Sequence, residues 1–138
     1  MINREVINAM LDIIEENMRL IEKIRSQGFE SFSMNFRDIQ AAKHSLQESI
    51  EACLDIGSHI ISENGFRRPE DYKDIYKVLE EEHIIDTELS EKLQEMAQFR
   101  NLLVHRYAKI DLKRVYIIMS EDIKDIQEFE KKILKYIS

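Results

Sequence analysis

Cysteine, proline and glycine are scarce in this chain, and tryptophan is absent: its 138 residues include one Cys, one Pro and three Gly. A single Cys excludes an intrachain disulfide framework and a cysteine-based zinc site of the usual four-ligand kind. So few Pro and Gly cannot punctuate a many-stranded sandwich, which needs a turn signal every ~10 residues. No apolar run approaches the roughly 20 residues of a membrane span, so no membrane partner is expected. The first residues lead at once into a helical pattern with acidic side chains, so no signal peptide is expected and the location is expected to be cytoplasmic. A Gly-rich phosphate loop is missing too; the chain is not expected to bind ATP itself or to carry a cofactor or metal. Acids exceed bases, 27 to 20, for a net charge of −7. That balance argues against a nonspecific nucleic-acid coat protein.

What is present is 43% hydrophobic and 34% charged residues, enough for one core in a single domain over residues 1–138. Ile2, Val6, Ala9, Met10, Ile13, Leu20 and Ile24, with Asn17 in the same row, predict an amphipathic helix from Ile2 to Arg25. Gly28 can close it with a left-handed C-cap, and a short link, Phe29–Asn35, follows. A second helix is expected from Asn35 or Phe36 to Glu63, on the stripe Ile39, Ala42, Leu46, Ile50, Cys53, Gly57, Ile60 and Ile61. Its small residues allow close approach of another helix, and its polar face carries His44, Glu51, Asp55, Ser58 and Ser62. A third helix is expected over Asp71–Glu82. A fourth, capped by Asp86 or Thr87, points Leu89, Leu93, Met96 and Leu103 inward. A fifth starts at Asp111 with Leu112, Val115, Met119, Ile123, Ile126, Ile133 and Ile137 inward, and Ser120-Glu121-Asp122 can interrupt it. The expected fold is all-α, an antiparallel four- to five-helix bundle.

Chemistry concentrates in Phe99–Tyr107. Arg100 interrupts an apolar stripe, about 20° from Leu89 on an ideal helix. A guanidinium there must be paired, by an acid on a neighbouring helix, or must face a cavity. His105 stands five residues on, which turns its side chain about 140° from Arg100. The two can meet only if the helix breaks between them, or if the Arg of one protomer faces the His of another. Asn101 and His105, four apart, can share a face. Tyr107 returns to the Arg100 direction if the helix continues. Gln98–Met119 holds five cations (Arg100, Arg106, Lys109, Lys113, Arg114) against Asp111 alone. Its charge is therefore +4, against −11 for the remainder. That suits a confined anion site, or a solvated face, or the partner of an acidic helix. Arg and His in a basic setting can cleave RNA, which brings its own nucleophile, the 2′-hydroxyl. His serves as base or acid near neutral pH, and Arg stabilises charge on phosphorus. Asn101 can orient a phosphate or the imidazole.

Elsewhere, Glu80-x-x-His83 has the spacing of a di-iron ligand pair, but a ferritin-like site needs two such motifs and only one is present. His44, Glu51 and Asp55 can line a cleft, meet a partner or be solvated. Cys53 reads as a reduced core residue, and Arg67-Arg68 as loop surface.

The string Arg100-Asn101-x-x-x-His105-x-Tyr107 resembles the Arg-x4-His-x-Tyr signature of HEPN proteins, and most closely that of the HepT-like ribonuclease toxins. The longer string Met96-Ala97-x-Phe99-Arg100-Asn101-Leu102-Leu103-Val104-His105-Arg106-Tyr107 is similar to the family's as well. So are the upstream Leu46–Ile60 segment, Ile110-Asp111 and Val115-Tyr116. The resemblance spans nearly the whole chain. It implies an all-α homodimer with both motifs near the interface and metal-independent cleavage of tRNA or mRNA, with Arg100 and His105 at the catalytic positions. It also implies a small nucleotidyltransferase antitoxin of the MntA kind that transfers AMP to the motif tyrosine, here Tyr107. The competing class is a non-catalytic helical binding subunit of a nucleotidyltransferase complex.

Overall fold

The computed structural model describes residues 2–105 and 110–138. Their order is α1 (Arg4–Arg25), α2 (Phe29–Met34), α3 (Phe36–Asn64), α4 (Tyr72–Glu81), α5 (Thr87–Val104) and α6 (Leu112–Ile117), then a π-helical turn (Ile118–Asp122) and α7 (Ile123–Ile137). The expected all-α bundle is what forms.

Asn side chains start the two longest helices. Asn3 accepts from the amides of Glu5 and Val6 at the head of α1, and Asn35 accepts from that of Asp38 at the head of α3. Asp71 and Asp86 do the same for α4 and α5. These side chains satisfy backbone donors that a helix start leaves open. Gly65 ends α3 at φ +66°, a left-handed position that favours glycine.

α3 is the central element. It packs along α1, and α4 and α5 also lie against it. The stripe from Ala42 to Ile61 is buried as expected, with Ile39 half-buried. Gly57 sets the α3–α4 approach: a Cβ there would stand 2.7 Å from Ile75 Cγ2 and 3.2 Å from Leu79 Cδ1. The inward set of α5, Leu89, Leu93, Met96 and Leu103, is buried too.

Four expectations need correction. The buried face of α1 lies about one residue on from the expected one. Ile7, Leu11, Ile14, Asn17, Ile21 and Ile24 are buried, while Ile13 and Leu20 stay 38% and 40% exposed. Apolar residues occupy two adjoining faces of this helix, and the one bearing branched side chains at unbroken 3–4 spacing packs on α3. Asn17 is satisfied there by donating to Ile13 O and Glu48 Oε1, both at 2.9 Å. The link 29–35 is mostly helix: Phe32 is fully buried, and Phe29 and Phe32 hold the Tyr116 ring at 5.5 and 5.8 Å. Tyr116 also donates to Arg25 O at 2.8 Å, fixing α6 on the α1–α2 corner. Gly28 has the positive φ expected of it (+91°), but as the residue that opens α2.

Ser120-Glu121-Asp122 does not stop the last helix. The chain passes through the π turn instead, and the extra residue per turn re-aims the stripe from Val115, Ile118 and Met119 to Ile126, Phe129 and Ile133. No helix of the described residues is long and apolar enough to cross a membrane.

Candidate functional site

Arg100 projects from the last turns of α5 towards α3, with its side chain 23% exposed. Its Nε and Nη2 both lie 3.2 Å from Glu51 Oε1. Gln47, one turn before Glu51, donates to the same oxygen at 3.0 Å. The guanidinium also stands 5.5 Å from the Tyr72 ring centre, at the start of α4. Three helices therefore hold one cation: α5 supplies it, α3 neutralises it and α4 covers a face. Of the two expected solutions for Arg100, both are present, an acid on a neighbouring helix and a small cavity. That cavity, about 100 Å³, is lined by Glu51, Leu54, Asp55, Tyr72 and Arg100. Burial, then the nearby Glu51 charge, pushes the Asp55 carboxyl above the usual carboxylate range.

His105 directly follows α5, exposed and extended (φ −76°, ψ 112°). The helix ends at Val104, between the two, with His105 as its C-cap. Asn101 stands on the last turn of α5, four residues before the His105 C-cap. Asn101 is exposed. Tyr107, Arg106 and Lys109 lie outside the described residues.

The basic segment does not line one cleft among the described residues. Arg114 stacks over Phe99 at 5.5 Å and faces a different cavity of about 520 Å³, shared with Lys92, Glu121, Asp122 and Asp125. Arg114 thus partners an acidic helix segment, while Arg100 faces α3.

The polar face of α3 is more than a solvated surface. Glu51 reaches Arg100, and His44 Nε2 lies 3.1 Å from Glu48 Oε2. Arg67 is not plain loop surface either. It forks onto Asp74 (2.7 and 2.8 Å) and onto Glu81 (2.9 and 3.0 Å), and that pairing holds Asp74 down to about 2. Glu80 accepts from the Thr87 hydroxyl at 3.1 Å, while His83 lies past the end of α4 at φ +60°. The helical spacing of that ligand pair is therefore not realised. Cys53 is buried in the core, which pushes its thiol up. Gln47 and Tyr72 were not anticipated as parts of the site. The signal for Gln47 was its i, i+4 spacing to Glu51; for Tyr72 the sequence carries none, because it reaches Arg100 only through the α4–α5 packing.

An all-α bundle with Arg-x4-His at the end of a helix is the arrangement that the HEPN resemblance implies. A family model described as Ribonuclease HepT-like matches residues 14–133, and the chain belongs to that family. It is 26% identical to the mRNA nuclease HepT of Shewanella oneidensis, over 91% of this chain and 93% of that protein. It is 32% identical to a putative RNase of Archaeoglobus fulgidus, over 72% of this chain and 70% of that one. Among solved structures it is similar to a tri-AMPylated Shewanella oneidensis HEPN toxin in complex with an MNT antitoxin. The TM-score is 0.88 at 25% identity, covering 94% of this chain and 97% of that one.

Proposed function

We propose that this chain is a ribonuclease toxin, active as a homodimer, that cleaves RNA through Arg100 and His105 without a metal. The observation that carries this is the cation held by three helices beside a small cavity, one turn before an exposed imidazole at the helix end. In the step proposed, His105 takes the 2′-hydroxyl proton and the 2′-oxygen attacks the adjacent phosphorus. The 5′-oxygen of the next nucleotide leaves with a proton from the His105 of the second protomer. A 2′,3′-cyclic phosphate and a 5′-hydroxyl end result. Arg100 meets the charge that builds on the phosphoryl oxygens, exchanging Glu51 for the phosphate. Asn101 orients the phosphate or the imidazole. The exposed apolar side chains Leu102, Val104 and Ile117 flank this end of the molecule and suit a protein interface.

The AMPylated toxin–antitoxin relative supports a regulatory partner, a nucleotidyltransferase of the MntA kind that adds AMP to Tyr107. The added bulk and negative charge would oppose RNA phosphate beside Arg100. The Arg100–Glu51 pair also favours a second reading, in which Arg100 is structural and the chain is a non-catalytic subunit of a nucleotidyltransferase complex. Expression in cells separates them. The chain alone should arrest growth, while Arg100→Ala and His105→Ala should not. Co-expression with a cognate nucleotidyltransferase should restore growth and add AMP to the peptide containing Tyr107. Equal growth in all three, with unchanged RNA, would favour the second reading.

A further inference from the structure

One sizeable cavity plays no part in the chemistry above. It is a groove of about 620 Å³ between the C-terminal end of α3 and the 65–72 loop, with more apolar than polar lining. Its size is that of a small-ligand cleft. Three features make it more than a surface dent. Its walls include Ile61, Phe66 and Tyr72, so two aromatic rings border it. Tyr72 also lines the small cavity that holds Arg100, so one ring joins the two spaces. The third feature is Arg68. Arg67 is committed to Asp74 and Glu81, whereas Arg68 is exposed at the groove and pairs with no carboxylate of the described residues.

We propose that this groove is a nucleobase subsite. It takes an unpaired base of an RNA strand whose phosphate lies at Arg100, with the base against Tyr72 and Arg68 meeting a neighbouring phosphate. The inference rests on the proposed ribonuclease activity and adds the substrate class: single-stranded RNA with a base free to turn out. Three properties of the groove fit that occupant. An aromatic wall stacks any base, because every base has a π-face. Among the described residues Arg68 is the one cation lining the groove, beside Glu70 and Asp71, and can meet a single backbone phosphate while those acids oppose a carboxylate-rich peptide. Helical RNA cannot offer a base to a recess, whereas loops and single strands can.

The test measures binding and cleavage of a short single-stranded RNA by the wild type, Tyr72→Leu, Tyr72→Phe and Arg68→Ala. The same RNA with one abasic nucleotide beside the scissile bond is run in parallel. Non-cleavable 2′-O-methyl forms give the affinities. Tyr72 and Arg68 are exposed, so these variants should fold, and circular dichroism checks it. Tyr72→Leu should weaken binding of the intact RNA about 5- to 100-fold, and weaken that of the abasic RNA much less, by no more than the loss of the ring beside Arg100 accounts for. Tyr72→Phe should keep wild-type affinity, and Arg68→Ala should flatten the salt dependence of binding. Wild-type and Tyr72→Leu proteins that bind and cut the intact RNA equally would overturn the subsite and leave the ribonuclease reading standing. Equal losses on intact and abasic RNA would also overturn it, placing the role of Tyr72 in holding Arg100. A wild type that neither binds nor cuts RNA would overturn both.

Discussion

Arg100 is held by its shape as well as its charge. Its fork places Nε and Nη2 on one carboxylate oxygen while its Cζ stands over the Tyr72 ring. A lysine supplies the charge but neither the fork nor the flat face. If the Arg100 geometry serves a phosphoryl transition state, Arg100→Lys should keep the fold and melting temperature yet lose about 100-fold or more in RNA cleavage rate. Comparing single-turnover rates with thermal melting checks this, and near-wild-type cleavage by the lysine variant would show that charge alone suffices. The need for a partner at Arg100 was legible in the sequence, since a guanidinium on an apolar stripe cannot stand alone. Which acid answers it was not. His44, Glu51 and Asp55 share one polar face of α3, and only the crossing of α3 with α5 singles out Glu51.

At the scale of elements, the last helix shows what periodicity conveys and where it ends. The residues of the stripe from Leu112 to Ile137 were correctly read as inward or half-inward. The π turn could not be read, because one extra residue in a turn leaves composition and spacing almost unchanged. On α7, Glu130 is buried at 8% exposure beside Glu15 of α1. Burial first, then the hydrogen bond and charge of Glu15, push its carboxyl from 4.5 up to about 7. The folded state thus binds a proton that the unfolded chain releases between those values. Stability is therefore highest below about pH 4.5, as far as this group goes, and is lost as pH rises towards 7. Glu130→Gln keeps the protonated shape at every pH. It should raise the stability at pH 8 by up to about 3 kcal/mol and change it little at pH 5. Denaturant titrations at the two pH values check it; the same change at both would contradict the assignment.

Over the whole molecule, the charge division sharpened where chemistry can occur but misjudged how the cations are arranged. The +4 segment does carry Arg100, yet Arg100 and Arg114 face separate cavities, each with acids in its lining. A sum along the chain cannot show this, because adjacent helix positions point about 100° apart. The five longer helical stretches and the α3 stripe were legible, since α3 is apolar on one side only, whereas the short α2 was not. The α1 face was not, because two adjoining faces are apolar and the choice between them is made by α3. The face left out, with Ile13 and Leu20, stays partly exposed. All of this converges on the C-terminal end of α5, where Arg100 is seated against Glu51 and the helix gives way to His105.

Cleavage of a defined single-stranded RNA by the purified chain, in excess EDTA and followed on denaturing gels, tests that convergence most directly. The wild type should cut and leave 5′-hydroxyl ends, while Arg100→Ala and His105→Ala should each be slower by about 100-fold or more. Cleavage at equal rates by all three proteins, or by none of them, would contradict the account.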